Sequence, residues 1–475
     1  MSRKSICSRL YAVALLFALL LGIVPRAEAA PGDVEPMNLL LIVADDLTYH
    51  DVGAFGSNQV KTPNLDALAA EGMRLTRMFT PAPMCSPTRM ALLTGLYPVR
   101  NGGHPNHSRV HDDVKSMPHY LGTLGYRVGL LGKRHIAPAA NFPFENLGGR
   151  NHDGGKGTAL PMDALETFLK SDGKFCVVVT SNSPHTPWTR GDASKYPPDQ
   201  IEVPPYLVDT PETREALSKY YAEVTQLDLQ VGRLLQLLES TGHAGDTAIL
   251  FLSEQGAQFP HAKWTLYDVG IRSDGIAKVP GVTKAGSTSD ALLSYVDVLP
   301  TFIELAGGDT ADASFDGRSF LPVLRGETDT HHDVVYAMQT SRGILMGPEH
   351  YGIRAARDDR FKYIRNLTPD ARFQNVVTQR GALFRSWQQK AEAGDAFAAQ
   401  RVNAYQHRPA EELYDLDADP HELHNLADDP AHAETLQRLS GRVDAWMEQQ
   451  GDWGQATEMD ALNRQPRHGD ESDDV

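Results

Sequence analysis

Cysteine is scarce, with three in 475 residues. That excludes a disulfide-stapled scaffold, and a chain of this length buries enough core to fold without staples. A basic face is missing too. Asp and Glu outnumber Lys and Arg by 61 to 45, for a formal charge of −16. Nucleic-acid and anionic-membrane binders need the opposite balance, so neither is an expected partner. No internal repeat is visible, and beyond the first thirty residues no apolar run reaches the ~20 residues that span a bilayer. What remains is ordinary globular usage, 41% hydrophobic and 22% charged. At roughly 100–200 residues per domain, the length implies two or three domains, or one large α/β domain with an appendage.

The first thirty residues stand apart. Arg3, Lys4 and Arg9 precede an apolar run from Leu10 to Val24, and Ala27-Glu28-Ala29 follows. A basic start, a short apolar run and a small-x-small site make a secretory signal peptide over 1–29. The mature chain then begins at about Ala30. It is secreted or periplasmic, and carries no membrane attachment after cleavage. Cys7 leaves with the leader.

Four continuous apolar runs organise the next three hundred residues. Asn38–Val43 ends at Ala44-Asp45-Asp46, and Tyr126–Leu131 ends at Gly132-Lys133-Arg134-His135. Phe175–Val179 leads to Ser183-Pro184-His185, and Ala248–Leu252 leads to Ser253-Glu254-Gln255-Gly256. Runs without alternation read as strands buried on both faces. Helical stretches separate them: Thr62-Pro63 opens one that Gly72 stops, and Thr210-Pro211 opens a longer one. The expected fold is α/β, a mostly parallel sheet sandwiched by helices. Ligands in such sheets bind beyond the carboxyl ends of the strands, where all four runs place acids, lysines or histidines.

After about residue 330 the strands become shorter and more charged, as at Val334–Met338 and Phe361–Ile364, and a helix is expected near Ala433–Gln449. We expect a main domain over 36–330, a smaller antiparallel α+β subdomain over 331–455, and a disordered acidic tail over 456–475.

Residues 85–95 read Cys85-Ser86-Pro87-Thr88-Arg89-Met90-Ala91-Leu92-Leu93-Thr94-Gly95. Alone, this is also compatible with a free thiol in a Ser/Pro turn. The full string resembles the signature of the type I sulfatases, C-x-P-x-R followed by an apolar helix and T-G. The resemblance implies an alkaline-phosphatase-like fold. It also implies that a separate maturation enzyme converts Cys85 to 3-oxoalanine (formylglycine). The hydrated aldehyde of that residue is the family's nucleophile: one hydroxyl attacks sulfur and the second expels the sulfate.

The likeness extends along the chain from Asn38 to about Trp453. Asp45 and Asp46 resemble the family's first pair of calcium ligands. Glu254 and Gln255 stand where it has a second pair, usually Asp with Asn or His. Oxygen donors suit a hard divalent cation, and Ca2+ is the expected ion. The resemblance assigns Lys133 and Lys263 to the sulfate oxygens, and Arg89 to the nucleophile and the ligand carboxylates. It assigns His185 to the leaving group and His135 to the proton released when the aldehyde re-forms. The Glu254-Gln255 pair is one methylene longer at each position, a departure that bears on which metal binds.

Within the family the likeness is strongest to the heparan N-sulfatase (sulfamidase) branch, carried by Gly132–Pro138, Phe259-Pro260 and Glu412–Asp415. The expected activity is release of sulfate from a saccharide, exo-acting on sulfated polysaccharide fragments. An N-sulfoglucosamine sulfohydrolase, a phosphoryl-transfer hydrolase and a sugar-binding protein with unmodified Cys85 are the alternatives. Trp188 and Trp264 are read as sugar-stacking or core residues. His107, Arg109 and His111 are read as a second anion pocket or a solvated loop. His350 and Arg354 are read as a wall closing the pocket. Cys176 is expected to be inert, and His331-His332 exposed rather than metal-binding.

Overall fold

Every residue of Asn38–Ala44 is buried, as an apolar run flanked by sheet on both sides requires. This strand, β1, sits centrally in a larger sheet. The structure is a computed structural model and describes residues 35–149, 160–311 and 314–464. The leader read at 1–29 and residues 465–475 lie outside the described residues.

The large sheet continues with β2 (Met73–Phe79), β3 (Arg127–Gly132), β4 (Glu145–Asn146), β5 (Phe175–Thr180), β6 (Thr247–Ser253), β7 (Arg272–Lys278), β8 (Ser287–Ser289) and β9 (Leu293–Ser294). Among the described residues its order is β4-β3-β5-β1-β6-β7-β2-β8, with β9 pairing β2. Strands β4, β3, β5, β1 and β6 run parallel. The sheet is not wholly parallel: β7 runs antiparallel to both β6 and β2. The parallel strands end level, because Val43 and Gly132 both lie beside Thr180, and Ala44 beside Ser253. The four chemistry-bearing segments therefore leave the sheet at one edge.

Helices follow from their caps. In α1 (Pro63–Glu71), Pro63 supplies the fixed φ of a first position and Gly72 follows the end. Helix α2 spans Cys85–Thr94. In α3 (Pro211–Ser240), the Thr210 side chain accepts the Thr213 N–H. Residues Leu217, Val224, Leu227, Val231, Leu234 and Leu238 of α3 share one core with Leu40, Ile42 and Ala44 of β1. Leu39, Leu41 and Val43 are also buried, on the opposite face of the same strand.

The smaller sheet is antiparallel, β10 (Val335–Thr340), β11 (Gly352–Arg357), β12 (Phe361–Asn366) and β13 (Glu411–Asp415). Between β12 and β13 the chain inserts α4 (Ala382–Glu392) and α5 (Ala396–Gln406). Helix α6 (Ala433–Gln450) lays Leu439, Val443 and Trp446 onto Met338, Ala356, Tyr363 and Leu413. A buried ionic bracket joins this sheet to the larger one. Lys362 of β12 contacts Asp268 and, at 2.9 Å, Glu422, whose Oε2 accepts the Asp268 N–H. The sequence element Asp419–Glu422 thus has a physical task at the junction.

Two expectations change. Residues 456–464, read as tail, belong to helix α7 (Gln455–Arg464). Its Glu458 is buried and accepts from Arg354 Nη2 at 2.9 Å. Arg354 does not close a pocket. It is fully buried on β11, paired with Asp452 and Glu458. Removing one partner of a buried pair leaves the other charge uncompensated, at about 3–5 kcal/mol. Arg354→Ala should therefore lower the urea unfolding midpoint by a corresponding amount. An unchanged midpoint would show that α7 adds nothing to the fold.

Candidate active site

Cys85 is the first residue of α2, and all ten residues of that helix are buried. Its first residue lies beside the carboxyl edge of the large sheet, and a helix N-terminus favours negative charge. The loop after β1 brings Asp45 Oδ1 to 3.9 Å from Cys85 Sγ. Asp46 holds φ 65, a left-handed conformation sparse for non-glycine residues and common at functional sites. Lys133 follows β3, and its Nζ lies 2.8 Å from Asp45 Oδ2. Gly132 before it has φ 101, and a Cβ there would collide with the Thr180 carbonyl. Only glycine lets β3 turn its lysine inward at this edge.

Lys263 Nζ lies 2.7 Å from Asp46 Oδ2. Gln255 Nε2 reaches Asp46 Oδ1 at 2.6 Å and Cys85 Sγ at 3.4 Å. His185 Nε2 lies 3.5 Å from Asp46 Oδ2, and its Nδ1 lies 2.5 Å from the Thr186 carbonyl. Two carboxylates, two ammonium groups and a thiol thus meet with every one of them buried.

Glu254 stands one step back. Both of its oxygens accept from Arg89, at 2.9 and 3.0 Å, while Arg89 Nη1 donates to the Lys133 carbonyl. Burial opposes the Arg89 charge, but Glu254 and Asp45 outweigh it and hold the guanidinium pKa above its ordinary value. Burial pushes the Glu254 carboxyl up, against the pull of Arg89. The bidentate pair locks the floor of the site to α2.

The donor set fits a cation. Ligand atoms of Asp45, Asp46, Cys85 and His185 all lie within 4.8 Å of one another. Gln255 Oε1 is buried without a hydrogen-bond partner. Turning that amide by half a rotation exchanges its oxygen and nitrogen, which have nearly the same shape. The oxygen would then face the Asp46 carboxylate, a placement that a cation between the two would satisfy.

His135 is buried at φ 51, and its Nε2 lies 2.8 Å from His107 Nδ1. Sequence reasoning marked His107 but not this bond. It missed Asn106, whose Oδ1 accepts the Ser86 N–H at 3.2 Å; nothing in the local pattern signals that contact. Arg109 and His111 are exposed, beside Arg464 rather than Cys85. Trp188 stacks on Phe259 with centroids 5.1 Å apart, and Trp264 lies under the Lys263 ammonium at 5.4 Å. Cys176 is fully buried, and burial raises its thiol pKa far above the ordinary value. His331 and His332 are not exposed loop residues. Both lie against the buried Asp297 carboxylate.

A cysteine at a helix N-terminus, flanked by buried cations on a largely parallel sheet, is an arrangement suited to an anionic substrate. A family model described as sulfatase matches residues 37–308. A second, described as N-sulphoglucosamine sulphohydrolase, C-terminal, matches 258–374. The chain belongs to the sulfatase family and is a sulfuric ester hydrolase. An ulvan-active sulfatase of Formosa agariphila is 33% identical over 90% of this chain and 82% of its own length. Human N-sulphoglucosamine sulphohydrolase is 29% identical over 87% of this chain and 90% of its own. The fold matches solved structures at lower identity. BT4656 in complex with its substrate D-glucosamine-2-N,6-O-disulfate has TM-score 0.70 and 20% identity, covering 89% of this chain and 99% of that one. Phosphonate monoester hydrolase of Agrobacterium radiobacter has TM-score 0.68 and 20% identity, covering 87% and 96%.

Proposed function

We propose that this sulfatase removes sulfate from a sulfated saccharide, acting on chain ends, with Cys85 converted to formylglycine by a maturation enzyme. The observation that carries the reading is the convergence of Cys85, Asp45, Asp46, Lys133, Lys263 and His185 at one helix N-terminus. Asp45, Asp46 and Gln255, with Glu254 behind them, would hold a divalent cation, Ca2+ by the oxygen character of the set. When bound, the aldehyde hydrate supplies the nucleophile and the cation supplies Lewis acidity.

The chain's own residues do the rest. Lys133 and Lys263 bind sulfate oxygens where charge shifts in the transition state. His185 gives a proton to the departing oxygen, and His135 takes one from the nucleophile residue. Arg89 keeps Glu254 in place and α2 seated against β3. A cleft of about 460 Å³ reaches Thr186, the residue after His185, and is lined also by Trp188, Glu212, Glu215, Gln258 and Arg380. It offers an aromatic wall and polar groups to a sugar.

An N-sulfate is the second reading, favoured by the match of 258–374 to the N-sulphoglucosamine sulphohydrolase C-terminal model. A phosphoryl-transfer role is disfavoured, because the candidate ligand cluster around Cys85 contains a single histidine. Among the described residues no helix is long and apolar enough to cross a membrane. Export through the 1–29 leader is part of the same proposal.

Intact-protein mass of natively produced material, with sulfate release from defined O- and N-sulfated sugars, tests the whole reading. We expect a mass deficit localised to Cys85 together with sulfate release. An unmodified, inactive protein that still binds the sugars would replace the enzyme reading with a binding one. Preference for an N-sulfated sugar would select the second reading.

A further inference from the structure

Hydrolysis of a sulfate ester near neutral pH yields an alcohol, a sulfate dianion and one proton from a monoanionic ester and water. One proton must therefore leave the cleft in each turnover. Lys133, Lys263 and Arg89 are buried cations held by carboxylates, fixed charges rather than carriers. His185, as the acid, must regain a proton. The base, His135, is fully buried and has no direct path to bulk water.

We propose that His107 is the proton exit of the site, a relay residue that passes the proton collected by His135 to solvent. The inference rests on the sulfatase reading with His135 as base, and it adds a residue to which no role is otherwise assigned. Its geometry is specific. His135 Nε2 and His107 Nδ1 are 2.8 Å apart, with ring centroids at 4.6 Å. His107 is exposed whereas His135 is not. Both residues hold left-handed backbone, at φ 56 and φ 51, which a non-glycine residue keeps only when its surroundings impose it.

Those surroundings are built. The loop before His107 is tied to the nucleophile helix by the Ser86 N–H to Asn106 Oδ1 bond at 3.2 Å. The loop after it is tied to the segment following His135 by the Val110 N–H to Ala137 carbonyl bond at 2.9 Å. One short loop thus clamps the two imidazoles together from both sides. A proton gained at Nδ1 of His135 leaves from Nε2 across the bond to Nδ1 of His107. Nε2 of His107 then releases its own proton to water. One proton enters and one leaves; both imidazoles end with the proton on Nδ1, and exchange with water returns each to its Nε2–H form before the next turnover.

The test uses the mature, metal-loaded enzyme and the variant His107→Asn, since Asn tolerates the left-handed backbone. We expect kcat on a sulfate ester to fall by about 100-fold with little change in KM, the low end of proton-transfer effects. Added imidazole should restore the variant in proportion to its concentration and leave the wild type unchanged. An unchanged kcat, or a lowered kcat that imidazole does not move, overturns the relay. A wild type that releases no sulfate overturns the relay and the sulfatase reading together, and is told apart by the absence of activity before any substitution.

Discussion

Replacing Cys85 by Ala should abolish sulfate release, a loss on the order of 10⁶-fold, the scale seen when a nucleophile is deleted from a hydrolase. The fold should survive. Cys85 is 2% exposed, and its thiol lies 3.4 Å from Gln255 Nε2 and 3.9 Å from Asp45 Oδ1, both longer than a strong hydrogen bond. Ala also suits the first turn of a helix. Thermal unfolding of the variant should stay close to wild type while initial rates fall to the uncatalysed level. Cys85→Ser sharpens the test. Its single hydroxyl can attack sulfur, with His185 protonating the leaving oxygen, but it has no second hydroxyl to expel the product. A mass gain of one sulfate at residue 85, without turnover, is the expected signature. Appreciable steady-state activity in Cys85→Ala would remove the nucleophile from the proposed mechanism.

Much of that site was legible in the sequence, for a physical reason. A strand buried on both faces must be continuously apolar, so its end is visible where the first charge appears. Asp45, Lys133, His185 and Glu254 announce themselves in this way. The parallel topology of β3, β5, β1 and β6 then brings them together without further information. The Cys85 motif is local and needs no tertiary contact to be seen.

What was hidden is what depends on partners distant in sequence. That Arg89 takes both oxygens of Glu254 at once, across 165 residues, is not visible in any local pattern. Arg354, read with His350 as a wall from the C-terminal unit, is fully buried on β11 instead. Its burial follows from pairing with Asp452 and Glu458, of which Glu458 falls in the stretch read as a disordered tail. The same pairing turns residues 455–464 into a helix. The antiparallel entry of β7 leaves no trace in hydropathy, since a buried strand reads alike in either direction.

Lys263→Ala should lower kcat by about 10²–10³-fold, the cost of removing one donor from charge developing in a transition state. Lys263 Nζ is bound to Asp46 Oδ2 at 2.7 Å and is almost wholly buried. Two effects of the substitution must therefore be separated. Losing the ammonium removes a sulfate contact, and it also leaves the Asp46 carboxylate short of positive charge. The second effect is a stability effect, about 3–5 kcal/mol for a buried pair that loses one partner. A cation held by Asp45 and Asp46 would supply the missing charge, so that the stability loss should be large in chelator and small with Ca2+ present. The rate loss should persist with Ca2+, because the cation cannot stand where the ammonium meets the sulfate. Urea midpoints with and without Ca2+, beside kcat in saturating Ca2+, resolve the two. A rate equal to wild type would place Lys263 outside the chemistry. A stability loss indifferent to Ca2+ would mean that no cation sits beside Asp46, and Lys263 would then be the permanent counter-ion of that carboxylate.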